Sequence, residues 1–120
     1  MDIWGSAYAV DVGITSEAQS LRISKYLVKH IDEIALKGQI RHLPKSEGSW
    51  DRLFKPCEEG TYQNGAYWAT PLAWMVPAMA VSSPDMAARV LDTVIHYLQE
   101  NGINECINTG YDKVPKFVVR

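Results

Sequence analysis

The chain has 120 residues, 47% of them hydrophobic and 22% charged, with a formal net charge of −2. Such a composition excludes intrinsic disorder, and the length gives room for one domain, two at a stretch. No basic surplus or Lys/Arg cluster is present, which argues against nucleic-acid binding, and the longest apolar run, around Pro71 to Val81, is far short of the roughly 20 residues a membrane span requires.

Met1-Asp2-Ile3-Trp4 has no basic start and no apolar core after it. No signal peptide is therefore expected, and the chain reads as soluble and by default cytoplasmic. A first helix is predicted from about Ala7 to Val12, with Ser6 as N-cap and Gly13 as its stop. A second runs from about Glu17 to Leu36. Ser16-Glu17-Ala18-Gln19 spells a capping box, and Leu21, Leu27, Val28, Ile31, Ile34 and Ala35 form one apolar stripe. Gly38 ends it.

A long connection follows, from Lys37 to Thr70. Within it Gln39 to Leu43 reads as a short strand and Ser49 to Phe54 as a helical turn. A third helix spans about Pro71 to Ala80, with Thr70 as cap and proline at its first position. Pro77 should kink it or end its regular part. Its residues are almost all apolar, so burial on every side is expected. Ser83 and Pro84 open a fourth helix, striped by Ala87, Val90, Leu91, Val94, Ile95 and Leu98 and stopped by Asn101-Gly102. The last residues, Phe117-Val118-Val119-Arg120, are β-prone with no closing signal. They point to a piece of a larger protein, or to a chain that completes itself as a homo-oligomer.

The fold class expected is all-α: two antiparallel helical hairpins with one long loop, holding a short β segment, between them. The hairpins are related by a repeat, Trp4-Gly5-Ser6-Ala7-Tyr8-Ala9 lining up with Trp68-Ala69-Thr70-Pro71-Leu72-Ala73. Each copy runs aromatic, small residue, hydroxyl, short apolar helix, turn, long amphipathic helix. This is the pattern of a two-layer helical ring or solenoid. Cys57 and Cys106 have neither the number nor the spacing of a zinc or redox motif. Two inert thiols are expected, or one disulfide in an oxidising compartment, with no metal and no cofactor.

Loops of this length in compact domains are usually functional or disordered, and Trp50, Phe54, Tyr62, Tyr67 and Trp68 speak against disorder here. Sugars present apolar faces that stack on aromatic rings, and hydroxyls that need forked donors and acceptors. The stretch from Gly60 to Trp68 interleaves both kinds of residue. Glycosidic hydrolysis needs two carboxylates of unlike pKa, and the loop holds Glu47, Asp51, Glu58 and Glu59. Plainer readings stand beside these. A loop aromatic is more often core than sugar platform, Glu58-Glu59 more often a solvated pair, His42 more often a hydrogen-bonded loop residue, and Gln63-Asn64-Gly65 a tight turn. His30 and His96 lie on polar helix faces and are given no role.

The Trp-x-x-x-Tyr-Ala opening, Gly38-Gln39-Ile40-Arg41-His42-Leu43-Pro44, and above all Thr61-Tyr62-Gln63-Asn64-Gly65-Ala66-Tyr67-Trp68-Ala69-Thr70-Pro71 resemble the six-hairpin glycosidase superfamily. The resemblance covers about two of the six hairpins of that (α/α)6 toroid. It implies a carbohydrate partner and a pocket at the ring end, built by loops that join an outer helix to the next inner one. The candidate sugar-binding residues are then Arg41, His42, Trp50, Gln63, Asn64, Tyr67 and Trp68. Asp51, Glu58 and Glu59 are the candidates for one catalytic carboxylate. Many such enzymes are inverting, with carboxylates roughly 6.5–9.5 Å apart. A two-hairpin piece would lack the other carboxylate and be inactive alone. The competing expectation is a non-catalytic helical interaction module that buries its apolar helix by oligomerising.

Overall fold

The computed structural model describes residues 1–45 and 60–108. Helix α1 spans Ile3–Asp11. It starts earlier than a cap at Ser6 would place it, because the Asp2 carboxylate takes the cap and accepts from the Gly5 N–H. An aspartate is as good a cap as a serine, and it stands first in the chain. Gly13, at φ +74, provides the stop. Helix α2 spans Glu17–Lys29. Its capping box forms as predicted: the Gln19 N–H donates to Ser16 Oγ, and the Ser16 N–H donates to Gln19 Oε1.

The predicted continuation of this helix to Leu36 does not occur. The chain breaks at His30, makes one further turn, α3 (Ile31–Ile34), and passes into strand β1 (Ala35–Leu36). Lys37 and Gly38 both have left-handed φ, +53° and +75°. Two such residues make the tight turn that fits the strand twist of a hairpin. Strand β2 (Gln39–Ile40) returns antiparallel, with Ala35 opposite Ile40 and Leu36 opposite Gln39. The apolar stripe of the sequence is real, but its last members are spent on this hairpin. The predicted strand from Gln39 to Leu43 shortens to its first two residues.

Helix α4 spans Leu72–Ala80 and α5 spans Pro84–Asn101. Pro71, not Thr70, occupies the cap position of α4, and the helix continues past Pro77 to Ala80. For α5 the predicted signals all operate. The Ser83 hydroxyl accepts from the Met86 N–H, Pro84 starts the helix, and Gly102 follows its end at φ +75.

Helices α1 and α4 pack on each other, α5 lies along α4, and α2 touches both α1 and α4. The core between them holds Ile3, Ala7, Leu27, Ile34, Ile40, Met75, Ala78 and Met79. A smaller apolar cluster joins Tyr67, Tyr97 and Ile107 with Leu36 and Leu98. Among the described residues the protein is thus mostly helical with one small two-stranded sheet. Helix α4 is not buried on all sides as its composition predicts: Ala73 and Pro77 are exposed, as is Val81 just past its end. Among the described residues no helix is long and apolar enough to cross a membrane.

One buried polar knot ties α2 to the end of α4. Ser24 Oγ donates to the Met79 carbonyl at 3.0 Å, accepts from the Ser82 N–H at 3.0 Å, and lies 2.8 Å from Ser82 Oγ. Ser24 is fully buried. Ser24→Ala removes these bonds, but the Met79 carbonyl keeps the Ser82 and Ser83 N–H groups, so we expect a loss of about 1 kcal/mol in denaturant unfolding. A change below about 0.5 kcal/mol would mean that water replaces the hydroxyl.

Candidate functional site

The site is built where the two hairpins begin. Ile40 and Trp68 exchange both backbone hydrogen bonds, at 2.8 and 3.0 Å, and the Ile3 N–H donates to the His42 carbonyl at 2.9 Å. On the far side Tyr67 exchanges a similar pair with Ile107, both at 2.8 Å. The starts of α1 and α4 are therefore hung from one extended segment, Ile40 to His42. The backbone does not copy the sequence repeat here: Trp4 lies inside α1, whereas Trp68 lies in extended chain ahead of α4. Trp4 and Trp68, equivalent positions of the repeat, meet edge to face with ring centroids 6.2 Å apart.

Extended chain sends alternate side chains to opposite faces. Arg41 and Tyr67 go one way. Both are buried, and the guanidinium carbon lies 4.0 Å above the tyrosine ring. His42 and Trp68 go the other way and help to wall a cavity of about 390 Å³ together with Asp2, Trp4, Gln63 and Thr70. His42 meets Trp4 edge to face at 5.6 Å. The indole N–H groups of Trp4 and Trp68 are buried and have no hydrogen-bond partner among the described residues. A buried donor left unmade costs about 1–3 kcal/mol; the indole N–H of Trp74, which does not line this cavity, is likewise buried without a partner among the described residues.

A strained turn brings in a further ring. The Asn64 N–H donates to the Thr61 carbonyl at 2.8 Å and the Gly60 N–H to the Asn64 carbonyl at 2.8 Å, leaving Tyr62 and Gln63 at the tip. Tyr62 has φ +42, uncommon for a residue with a side chain. Its backbone N–H is held by Asn108 Oδ1 at 2.8 Å. In this conformation the phenol ring lies against Trp68, centroids 5.2 Å apart. Backbone strain of this kind tends to persist at ligand sites, where surrounding contacts over-determine it.

Burial lowers the pKa of the Arg41 guanidinium, opposed by Tyr67 and Glu33, and raises that of the Tyr67 phenol, opposed by Arg41. The two form a buried pair that does not line the cavity. Burial likewise holds the His42 imidazole below its usual value, with the Asp2 carboxylate pulling the other way. The unfolded chain then takes up the proton before the folded one does. His42 accordingly withdraws stability as pH falls below about 6.5, the ordinary histidine value. His96 has the opposite sign: exposed, its pKa is raised by its hydrogen bond to the Asp92 backbone and by the Asp92 charge. In urea unfolding between pH 7 and 5.5, His42→Gln should flatten the fall in stability and His96→Gln should steepen it. Equal slopes for His42→Gln and the unmodified chain would remove His42 from this account.

Of the sequence candidates, His42, Gln63 and Trp68 line the cavity. Arg41, Tyr67 and Asn64 are buried and do not line it. Trp50, Asp51, Glu58 and Glu59 lie outside the described residues, as does the predicted helical turn at Ser49 to Phe54. Sequence reasoning passed over Asp2, Trp4 and Thr70 as site residues. The repeat carried the signal for the last two, since it pairs Trp4 with Trp68 and Thr70 with Ser6; Asp2 carried none. Cys106 is free and buried, and among the described residues no group of three or more His, Cys, Asp or Glu side chains is arranged to hold a metal. Comparison with protein-family models, curated proteins and solved structures finds no match to this chain.

Proposed function

We propose that the chain is a carbohydrate-binding pair of hairpins from a glycoside hydrolase, and that the cavity beside Trp4 and Trp68 is part of its sugar pocket. The observation that carries this reading is the composition of one wall: two indoles nearly perpendicular, at 85°, with His42, Asp2, Gln63 and Thr70 around them. Ring faces suit the apolar side of a pyranose, and the polar groups suit its hydroxyls. The superfamily resemblance and the paired hairpins support the same reading, with further hairpins completing a toroid. Hydrolysis would then proceed by protonation of the glycosidic oxygen from one carboxylic acid while a second carboxylate draws a proton from the attacking water. Asp51, Glu58 and Glu59 stay the candidates for one of these roles.

Indole N–H resonances, followed by NMR during titration with neutral methyl glycosides and short oligosaccharides, test the proposal. Those of Trp4 and Trp68 should shift in a saturable way while that of Trp74 stays still. No saturable shift with any sugar would sink it.

A second reading is favoured by a separate feature. Tyr8, 53% exposed, meets Trp74 edge to face across the α1–α4 seam, and Val12, Ala73, Pro77 and Val81 continue an apolar surface along the same two helices. We propose as the alternative a non-catalytic interaction module in which a second copy covers this face. Sedimentation should then show a dimer that Tyr8→Ser with Val81→Ser dissociates. A monodisperse monomer of the unmodified chain at high concentration would exclude it.

A further inference from the structure

Resting on the sugar-pocket reading, we infer that the cavity selects uncharged sugars and rejects uronates and other anionic sugars. Asp2 is the one carboxylate among the described lining residues. Its place is fixed, because it caps α1: Oδ1 accepts from the Gly5 N–H at 3.1 Å. Gly5 makes the room for it, since a Cβ there would stand 2.5 Å from Oδ2. Swinging the carboxylate away from an incoming ligand would forfeit the cap.

Among the described lining residues no lysine or arginine answers that charge. Recognition of a sugar carboxylate is best served by the forked donors of a guanidinium. The arginine nearest in sequence, Arg41, is buried on the opposite face of the segment and lies over Tyr67. Burial disfavours the charged form of the His42 imidazole, with Asp2 pulling the other way. Among the described lining residues there remain Gln63, Thr70 and the indole surfaces, which are uncharged. Asp2 is exposed, so a ligand carboxylate seated beside it meets a like charge in largely water-like surroundings, where the repulsion is modest and falls with salt. Selectivity arises here from a like charge set against the wrong ligand.

The test titrates the intact chain at pH 7 with matched pairs, methyl glucoside against methyl glucuronoside and methyl galactoside against methyl galacturonoside, reading the same indole resonances. The neutral member of a pair should bind about fivefold more tightly, as expected of close like charges in water-like surroundings. Raising salt should narrow that gap, and Asp2→Asn should narrow it further, because asparagine keeps the cap while removing the charge. A uronate that binds as well as its neutral partner, or a gap insensitive to both salt and Asp2→Asn, overturns the inference and leaves the sugar pocket standing. No response to any of the four glycosides overturns both.

Discussion

Gly38→Ala should unfold or nearly unfold the protein, with an expected loss of about 3–5 kcal/mol from strain and overpacking together. The residue turns the β1–β2 hairpin at φ +75, a conformation that resists any side chain. A Cβ built there would lie 2.6 Å from the Val94 nitrogen, 2.7 Å from Val94 Cβ and 2.8 Å from the Val90 carbonyl oxygen. These are mostly backbone atoms of a long helix, so they cannot yield by a rotamer change. The hairpin would have to lift off α5, taking Ile40 out of the core and the Ile40–Trp68 hydrogen bonds with it. Total stabilities of small domains are about 5–15 kcal/mol, so this loss is a large share. Thermal unfolding by circular dichroism checks it. A Tm within a few degrees of the unmodified chain would mean that the hairpin does not sit against α5 as described.

Trp68→Ala should affect both stability and binding. The ring touches Trp4 and Tyr62, and its backbone pairs with Ile40. It is only half buried, so the stability loss should fall at or below the lower end of the 3–5 kcal/mol range for tryptophan truncation, about 2–3 kcal/mol. On the proposed sugar-pocket reading, sugar affinity should fall by about 2 kcal/mol, roughly thirtyfold, as for an aromatic anchor at the centre of a contact. Trp68→Phe separates the two effects. It keeps an aromatic face and removes an indole N–H that has no partner among the described residues. It should therefore cost little stability and retain most of the binding. If Trp68→Ala binds neutral glycosides as well as the unmodified chain, Trp68 is packing and not platform.

The helices were legible because their signals are local. Ser16-Glu17-Ala18-Gln19, Ser83-Pro84 and Asn101-Gly102 each act on backbone groups within a turn of themselves, and all three operate as written. The early start of α1 was missed because two cap residues compete there, and the sequence does not say which engages. The break at His30 was missed for a different reason. A stripe of period 3.6 continues through Ile31, Ile34 and Ala35, yet the energy that diverts those residues comes from packing the hairpin on α5, far along the chain.

The candidate site divides along the same line. From the sequence alone came the residue types, the repeat that makes Trp4 the counterpart of Trp68, and the concentration of aromatic and amide groups between Gly60 and Trp68. Which of them share a cavity was decided only by the tertiary structure. Strand alternation sends His42 and Trp68 to the cavity and their neighbours Arg41 and Tyr67 to the opposite face, and a shift of one residue in register would exchange them. That register is set by hydrogen bonds from Ile40 to Trp68 and from Tyr67 to Ile107, partners distant in sequence. Asp2 reaches the same cavity because α1 begins on the His42 carbonyl, a contact that no local pattern encodes.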